Sequence, residues 1–216
     1  MSYITPDCAK NALSKMKKFH KDIEGLFHNH NMDLFSNLGR RNILLSQAQE
    51  KFFAESLSDL YPDVENDGRT GKADIFIGSL SKELECKLTS RHASGAISLQ
   101  SDFDTLNQKG KLDYLYVIAD QQFEKFAVLH FIDLTVDDFR PLSNGARGKV
   151  AMYKHKGMKK CNMLVGDVVD LNQQNLRKLE QRLKDPAESP NRSKILKSIN
   201  YWTSTPTKYK FQLENV

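Results

Sequence analysis

Two stretches, LDYLYVIA at Leu112–Ala119 and FAVLHFI at Phe126–Ile132, most constrain what this chain can fold into. Their density of Tyr, Val, Leu and Phe reads as strands in buried sheet positions rather than on a solvated surface. Such a sheet needs covering layers, and the flanking sequence supplies helices. Ala9, Ala12, Leu13, Met16, Phe19, Ile23, Leu26 and Phe27 recur at spacings of three and four, which predicts an amphipathic helix over residues 8–28. Ser46 is placed to cap a second helix reaching about Leu60, with Gln49 completing a capping box and Phe52, Phe53, Leu57 and Leu60 on one face. Residues 61–71 contain Pro62, Asn66, Asp67 and Gly68 and read as a loop. Strands are expected at Ala73–Gly78 and Lys82–Leu88, around a tight Ser79-Leu80-Ser81 turn. A weaker helical pattern follows over 94–108, then a short strand near Leu164-Val165 and helices over Leu171–Leu183 and 193–202. The order implies an α/β fold around a mixed central sheet.

At 216 residues the chain suits one domain, and it can bury roughly 70% of its unfolded surface without disulfide staples. Asp185–Asn191, with Pro186 and Pro190, is the best candidate linker. Cys8, Cys86 and Cys161 are far apart and form no CxxC or CxxH pair, which disfavours structural zinc and fits a reducing compartment. No apolar run approaches the roughly 20 residues of a membrane span, and the first 20 residues lack a signal-peptide core. The expectation is a soluble cytoplasmic protein with no membrane partner. Without a phosphate-binding glycine loop, a nucleotide cofactor is not expected.

The net charge of +5 is modest but unevenly spread. Between Phe139 and Gly166 no acid occurs, yet Arg140, Arg147, Lys149, Lys154, Lys156, Lys159 and Lys160 do. A second acid-free stretch, Ser189 to Leu213, holds Arg192, Lys194, Lys197, Lys208 and Lys210. Such stretches suit a phosphate-facing surface, with arginines able to make bidentate base contacts and lysines acting as point charges.

The chemistry concentrates in GKADIFIGSLSKELECKL, residues 71–88. Strand side chains alternate, so Glu85 and Lys87 share a face while Leu84, Cys86 and Leu88 take the other. If the two strands pair through the short turn, Asp74 comes beside Glu85. Two carboxylates offer hard oxygen ligands for Mg²⁺, the Cys86 carbonyl can add a third, and the lysine can orient or deprotonate an attacking water.

Asp74 followed by Glu85-Cys86-Lys87 resembles the PD-(D/E)XK nuclease superfamily, which includes most type II restriction endonucleases. The resemblance covers about residues 43–132 and implies a restriction-endonuclease-like fold, a mixed central sheet flanked by helices. It implies that Asp74 and Glu85 bind metal and that Lys87 supports the nucleophilic water. A glutamate on the preceding helix often joins such sites; Glu50 is the better match and Glu55 the alternative. The family's Pro-Asp pair is present as Pro62-Asp63, but in the loop, and alanine precedes Asp74. Gln100, Asp102 and Asp104 lie where the family often places polar residues near DNA. The expectation is a single nuclease domain whose basic part, 139–216, recognises DNA. It would cut double-stranded DNA with Mg²⁺ at a short specific site, and a palindromic site would be matched by a two-fold homodimer. A structure-specific nuclease of the same fold, such as a junction resolvase or repair enzyme, is the nearest rival; a non-catalytic DNA-binding module is another. His28-Asn29-His30-Asn31 has the letters of an HNH motif but not its spread over a hairpin and helix, and reads as a polar helix end. Tyr201-Trp202 reads as packing rather than a base-stacking platform.

Overall fold

The computed structural model describes residues 1–69, 72–91, 97–141 and 148–216. The chain divides into two compact units, one of Met1–Gly166 with Leu213–Val216, the other Asp167–Gln212. In the first, α1 (Pro6–Asn29) and α2 (Leu38–Ser58) precede the strands β1 (Val64–Asn66), β2 (Ile75–Ile77) and β3 (Lys82–Ser90). Next come β4 (Gln100–Asp102), α3 (Phe103–Lys109), β5 (Leu112–Ala119) and β6 (Lys125–Leu134). The unit continues through β7 (Phe139–Pro141), β8 (Lys149–Met152), a single turn α4 (Lys154–Gly157) and β9 (Cys161–Val165). The second unit holds β10 (Asp167–Asp170), α5 (Leu171–Lys184), α6 (Arg192–Ser204) and β11 (Tyr209–Gln212), and β12 (Glu214–Asn215) returns to the first.

The apolar run at 112–119 becomes the centre of the sheet: every residue of β5 is buried. Its neighbours are β3, which runs parallel to it, and β6, which runs antiparallel. The strand order is β1-β2-β3-β5-β6-β12, with β9 also paired to β6. Parallel neighbours need a crossover, and the one from β3 to β5 contains β4 and α3. The result is a mixed α/β architecture, a mixed central sheet flanked by helices.

One sheet face is covered by α1 and α2. Ala9, Ala12, Leu13 and Met16 of α1 join Leu45, Phe53 and Leu57 of α2 in one core with Ile75, Ile77, Leu84, Cys86, Leu115, Val117 and Val128. Small residues at the α1 contact let the helix approach closely. Thr5 starts α1 by accepting the Cys8 N–H (3.1 Å), with Pro6 in the first turn. The other face carries Tyr114 and Tyr116, whose hydroxyls bond Ser101 Oγ (2.6 Å) and the Gln100 carbonyl (2.7 Å). Those bonds tie the central sheet to a small sheet of order β4-β8-β7.

In the second unit, β10 and β11 pair antiparallel around the α5–α6 hairpin. Buried Asn172 organises it. Its Nδ2 donates to the carbonyls of Thr205 (3.0 Å) and Pro206 (3.2 Å), and its Oδ1 accepts the Lys208 N–H (3.2 Å). Residues 185–191 form a 3-10 turn between α5 and α6.

Three local expectations differ from the structure. The second helix begins at Leu38, not Ser46, because Asn37 accepts the Arg40 N–H (3.0 Å) as its cap. Ser46 is internal and bonds the Ile43 carbonyl (2.8 Å), so it forms no capping box. Within the described part of 94–108, residues 100–102 pair with β8 as a strand and the helix starts only after Asp102 caps it. The stretch 61–71 contains β1, paired with β2. The two strands come from pairing with another segment, which a local pattern does not register, whereas the helix start is set locally by the Asn37 cap.

Candidate functional site

The β2–β3 register sets the site. Ile75 pairs with Leu84 and Phe76 with Glu83, so Asp74 stands across from Glu85 at the next step. Ile75, Ile77, Leu84 and Cys86 turn into the core, which leaves Asp74, Glu85 and Lys87 on the opposite parity. The Cys86 N–H donates to Asp74 Oδ2 (2.7 Å), fixing that carboxylate against the next strand. Lys87 Nζ lies 2.5 Å from Glu85 Oε1. The connecting turn is held by Asp63, which accepts from Ser79 Oγ (2.9 Å) at its side chain and from the Gly78 N–H at its carbonyl. Asp63 of the Pro-Asp pair therefore clamps the hairpin turn.

Glu50 arrives from α2. It lines one cleft of about 520 Å³ together with Asp74, Cys86 and Lys87. Glu85 is 12% exposed and reaches this group through Lys87. Glu55 instead pairs with Lys15 (3.2 Å) and Lys51 (2.9 Å). Burial and then the Asp74 charge push the Glu50 carboxyl up to about 7, against the pull of Lys87. Burial and the Glu85 charge also raise Asp74, opposed by the Cys86 N–H and by Lys87. Burial disfavours the Lys87 ammonium, but Glu85 outweighs it and holds the lysine above its usual value. Burial keeps the Cys86 thiol well above the usual range, which leaves its main chain as the polar part.

Three carboxylates thus face one lysine, an excess of negative charge on hard oxygens that fits a divalent cation. Asp74 Oδ1 remains as an oxygen donor beside the one that holds Cys86. Among the described residues no group of three or more His, Cys, Asp or Glu side chains is arranged to hold a metal ion. A cation here would therefore rest on Asp74 and Glu85, the Cys86 carbonyl and water.

The basic residues divide by position. Lys149 lines the cleft, half exposed, with Asp102 Oδ2 at 4.0 Å. Asp102 is mainly the cap of α3, accepting from Asp104 and Thr105 N–H. Arg140 and Lys159 are exposed. Lys154 donates to the Ile97 carbonyl (2.8 Å) and Lys156 to the Asp137 carbonyl (2.9 Å). Lys160 pairs with buried Asp138 (2.7 Å) and donates to the Asp133 carbonyl. Arg147 lies outside the described residues. Of the other sequence candidates, Gln100 lines the cleft, Asp104 sits in the first turn of α3, and His28 and His30 end α1. Trp202 is half-buried with Lys208 over its ring at 5.4 Å, whereas Tyr201 is 55% exposed.

Sequence reading missed the α2 wall of the cleft. Gly39, Asn42, Ile43 and Ser46 line it with Glu50. Their spacing of three and four was the available signal, hidden by starting the helix at Ser46.

No protein-family model matches the chain, and no curated protein matches it in sequence. Among the described residues no helix is long and apolar enough to cross a membrane.

Proposed function

We propose that the chain is a Mg²⁺-dependent endonuclease of the restriction-endonuclease-like fold, cutting double-stranded DNA at a short specific site. The observation that carries this reading is the convergence of Asp74, Lys87 and Glu50, from two paired strands and a helix, at one polar cleft, with Glu85 paired to Lys87 beside it. The parallel placement of β5 beside β3, after an antiparallel hairpin, supports the fold assignment. Asp74, Glu85 and the Cys86 carbonyl would hold Mg²⁺, which supplies neutralising charge for the reacting phosphate and acidifies bound water. Lys87 orients the attacking water and adds positive charge beside the developing oxyanion. Glu85 fixes the lysine's direction, and the Cys86 N–H fixes that of Asp74. Glu50 closes the carboxylate group from α2. Lys149, which lines the cleft from the smaller sheet, supplies a phosphate contact. A palindromic site would be served by two copies about a two-fold axis.

The test is digestion of a sequenced phage genome by purified protein in Mg²⁺, with the cut ends mapped, and the same digestion in EDTA and with Asp74→Ala. Defined fragments from the parent in Mg²⁺ alone support the reading. Equal cutting by Asp74→Ala would remove Asp74 from the site. Cutting of branched but not linear DNA would make the enzyme structure-specific.

A further inference from the structure

The wall of the cleft contributed by α2 is built to present one amide donor. Arg41 is 1% exposed, and its two terminal nitrogens are employed inside the fold, while Nε is buried without a partner among the described residues. The guanidinium donates to the carbonyls of Asp120 (3.3 Å) and Gln121 and, through Nη2, to Ser90 Oγ (2.8 Å), and it packs beside the rings of Phe35 and Phe123. Ser90 Oγ in turn lies 2.9 Å from Asn42 Oδ1. A guanidinium can only donate, so the Ser90 oxygen accepts from Arg41, and the Ser90 hydroxyl donates to Asn42 Oδ1. Asn42 has its carbonyl oxygen committed to Ser90, and its Nδ2 hydrogens are left for the cleft that the residue lines.

Beside it stands Ile43, 74% exposed and also lining the cleft. Gly39, Asn42, Ile43, Ser46 and Glu50 fall within an arc of about 100° at 3.6 residues per turn, so one stripe of α2 runs from Asn42-Ile43 to the carboxylates. Between Glu50 and that pair the helix rises roughly 10–12 Å, at 1.5 Å per residue. A nucleic-acid strand advances about 3.4 Å per nucleotide, so the pair stands about three nucleotides from a phosphate at Glu50. Gly39, Asn42, Ile43 and Ser46 carry no charge, unlike Lys149, which suits contact with bases rather than phosphates.

Resting on the nuclease reading, we propose that Asn42 and Ile43 are the base-reading pair of this cleft. Asn42 donates from Nδ2 to an acceptor on a base edge, and Ile43 makes the adjoining apolar contact. Ser90 and Arg41 act as positioning residues that hold the amide in one orientation.

The experiment selects duplexes bound by the full chain in Ca²⁺ from a random-sequence pool and sequences them. Parent, Asn42→Ala, Ile43→Ser, Ser90→Ala, Ser90→Thr and Lys149→Ala are compared, with melting curves to verify folding. Asn42→Ala and Ile43→Ser should lower the parent's base preference about tenfold at one or two neighbouring positions and leave the salt slope unchanged. Ser90→Ala should blur preference at the Asn42 position, and Ser90→Thr, which keeps the hydroxyl, should restore it. Lys149→Ala should weaken retention of all sequences alike and flatten the salt slope. Preferences unchanged in both Asn42→Ala and Ile43→Ser would overturn the assignment and leave the nuclease reading standing; a parent that binds duplexes with no base preference would overturn the assignment and the specific site, but not metal-dependent cleavage. A parent that retains no duplex overturns that reading as well, and it does so before any variant is made.

Discussion

Replacing Glu50 by glutamine should make the metal-free protein more stable while it weakens the proposed cleavage. The amide keeps the size of the side chain and removes a charge. In the parent, that charge is held among Asp74, Glu85 and a half-buried environment that together shift the carboxyl from 4.5 to about 7. By linkage such a shift corresponds to about 3 kcal/mol, and solvent screening of a half-buried group reduces it to about 1–2 kcal/mol. The sign follows from a folded-state value above the unfolded one. The protonated carboxyl costs nothing below about pH 4.5, and the penalty grows as pH rises and is complete above about 7. Melting curves in EDTA should therefore coincide near pH 4 and separate by roughly 2–8 °C at pH 8, with Glu50→Gln the higher. On the nuclease reading Mg²⁺ should narrow the gap, because the parent would bind it better and gain more stability from it. Cleavage by the variant should fall by at least tenfold. A variant that melts lower than the parent at pH 8, or a gap independent of pH, would refute the view that Glu50 is a strained member of an anionic site.

Other outcomes follow from the same structure. Lys87→Ala should abolish cleavage yet leave duplex binding in Ca²⁺ largely intact, because Ca²⁺ accepts the same oxygens but activates water less well; full activity would exclude Lys87. His130 is fully buried and desolvation lowers it to about 4, beside Ser2, Tyr3, Asp113 and Lys82. Its unfolded counterpart binds a proton near 6.5, so stability should be complete above about pH 6.5 and fall by about 3 kcal/mol towards pH 4. His130→Gln should flatten that limb of the denaturation profile, and an unchanged limb would assign it to another group. Leu115→Ala, at the centre of the sheet, should cost about 2–5 kcal/mol in urea unfolding; a loss under 1 kcal/mol would mean the core there is loosely packed. Lys160→Ala should lower stability, because buried Asp138 loses its counter-charge and keeps the Thr135 N–H, and leave the salt slope of DNA binding alone. A salt slope reduced by about one unit would instead place Lys160 on phosphate.

Much of the centre was legible because local physics dominated there. Leu112–Ala119 is apolar on both faces, so it had to be an inner strand, and the structure gives β5 the same bounds. The parity of Glu85 and Lys87 against Leu84 and Cys86 follows from the strand repeat alone. The short turn was enough to bring Asp74 opposite Glu85. Tertiary pairing decided the rest. The short strands β1, β4, β7, β8, β10 and β11 have no periodicity of their own and exist because a distant segment completes their hydrogen bonds. The acid-free run at 139–166 is not uniformly free charge in space. Asp138 and main-chain carbonyls from 97, 133 and 137 occupy Lys154, Lys156 and Lys160, while Lys149 reaches the cleft. The orientation of Asn42 depends on Arg41, Ser90 and the turn at 120–121. Those groups are separated by up to about 80 residues, so only folding the sheet under α2 could join them into one relay.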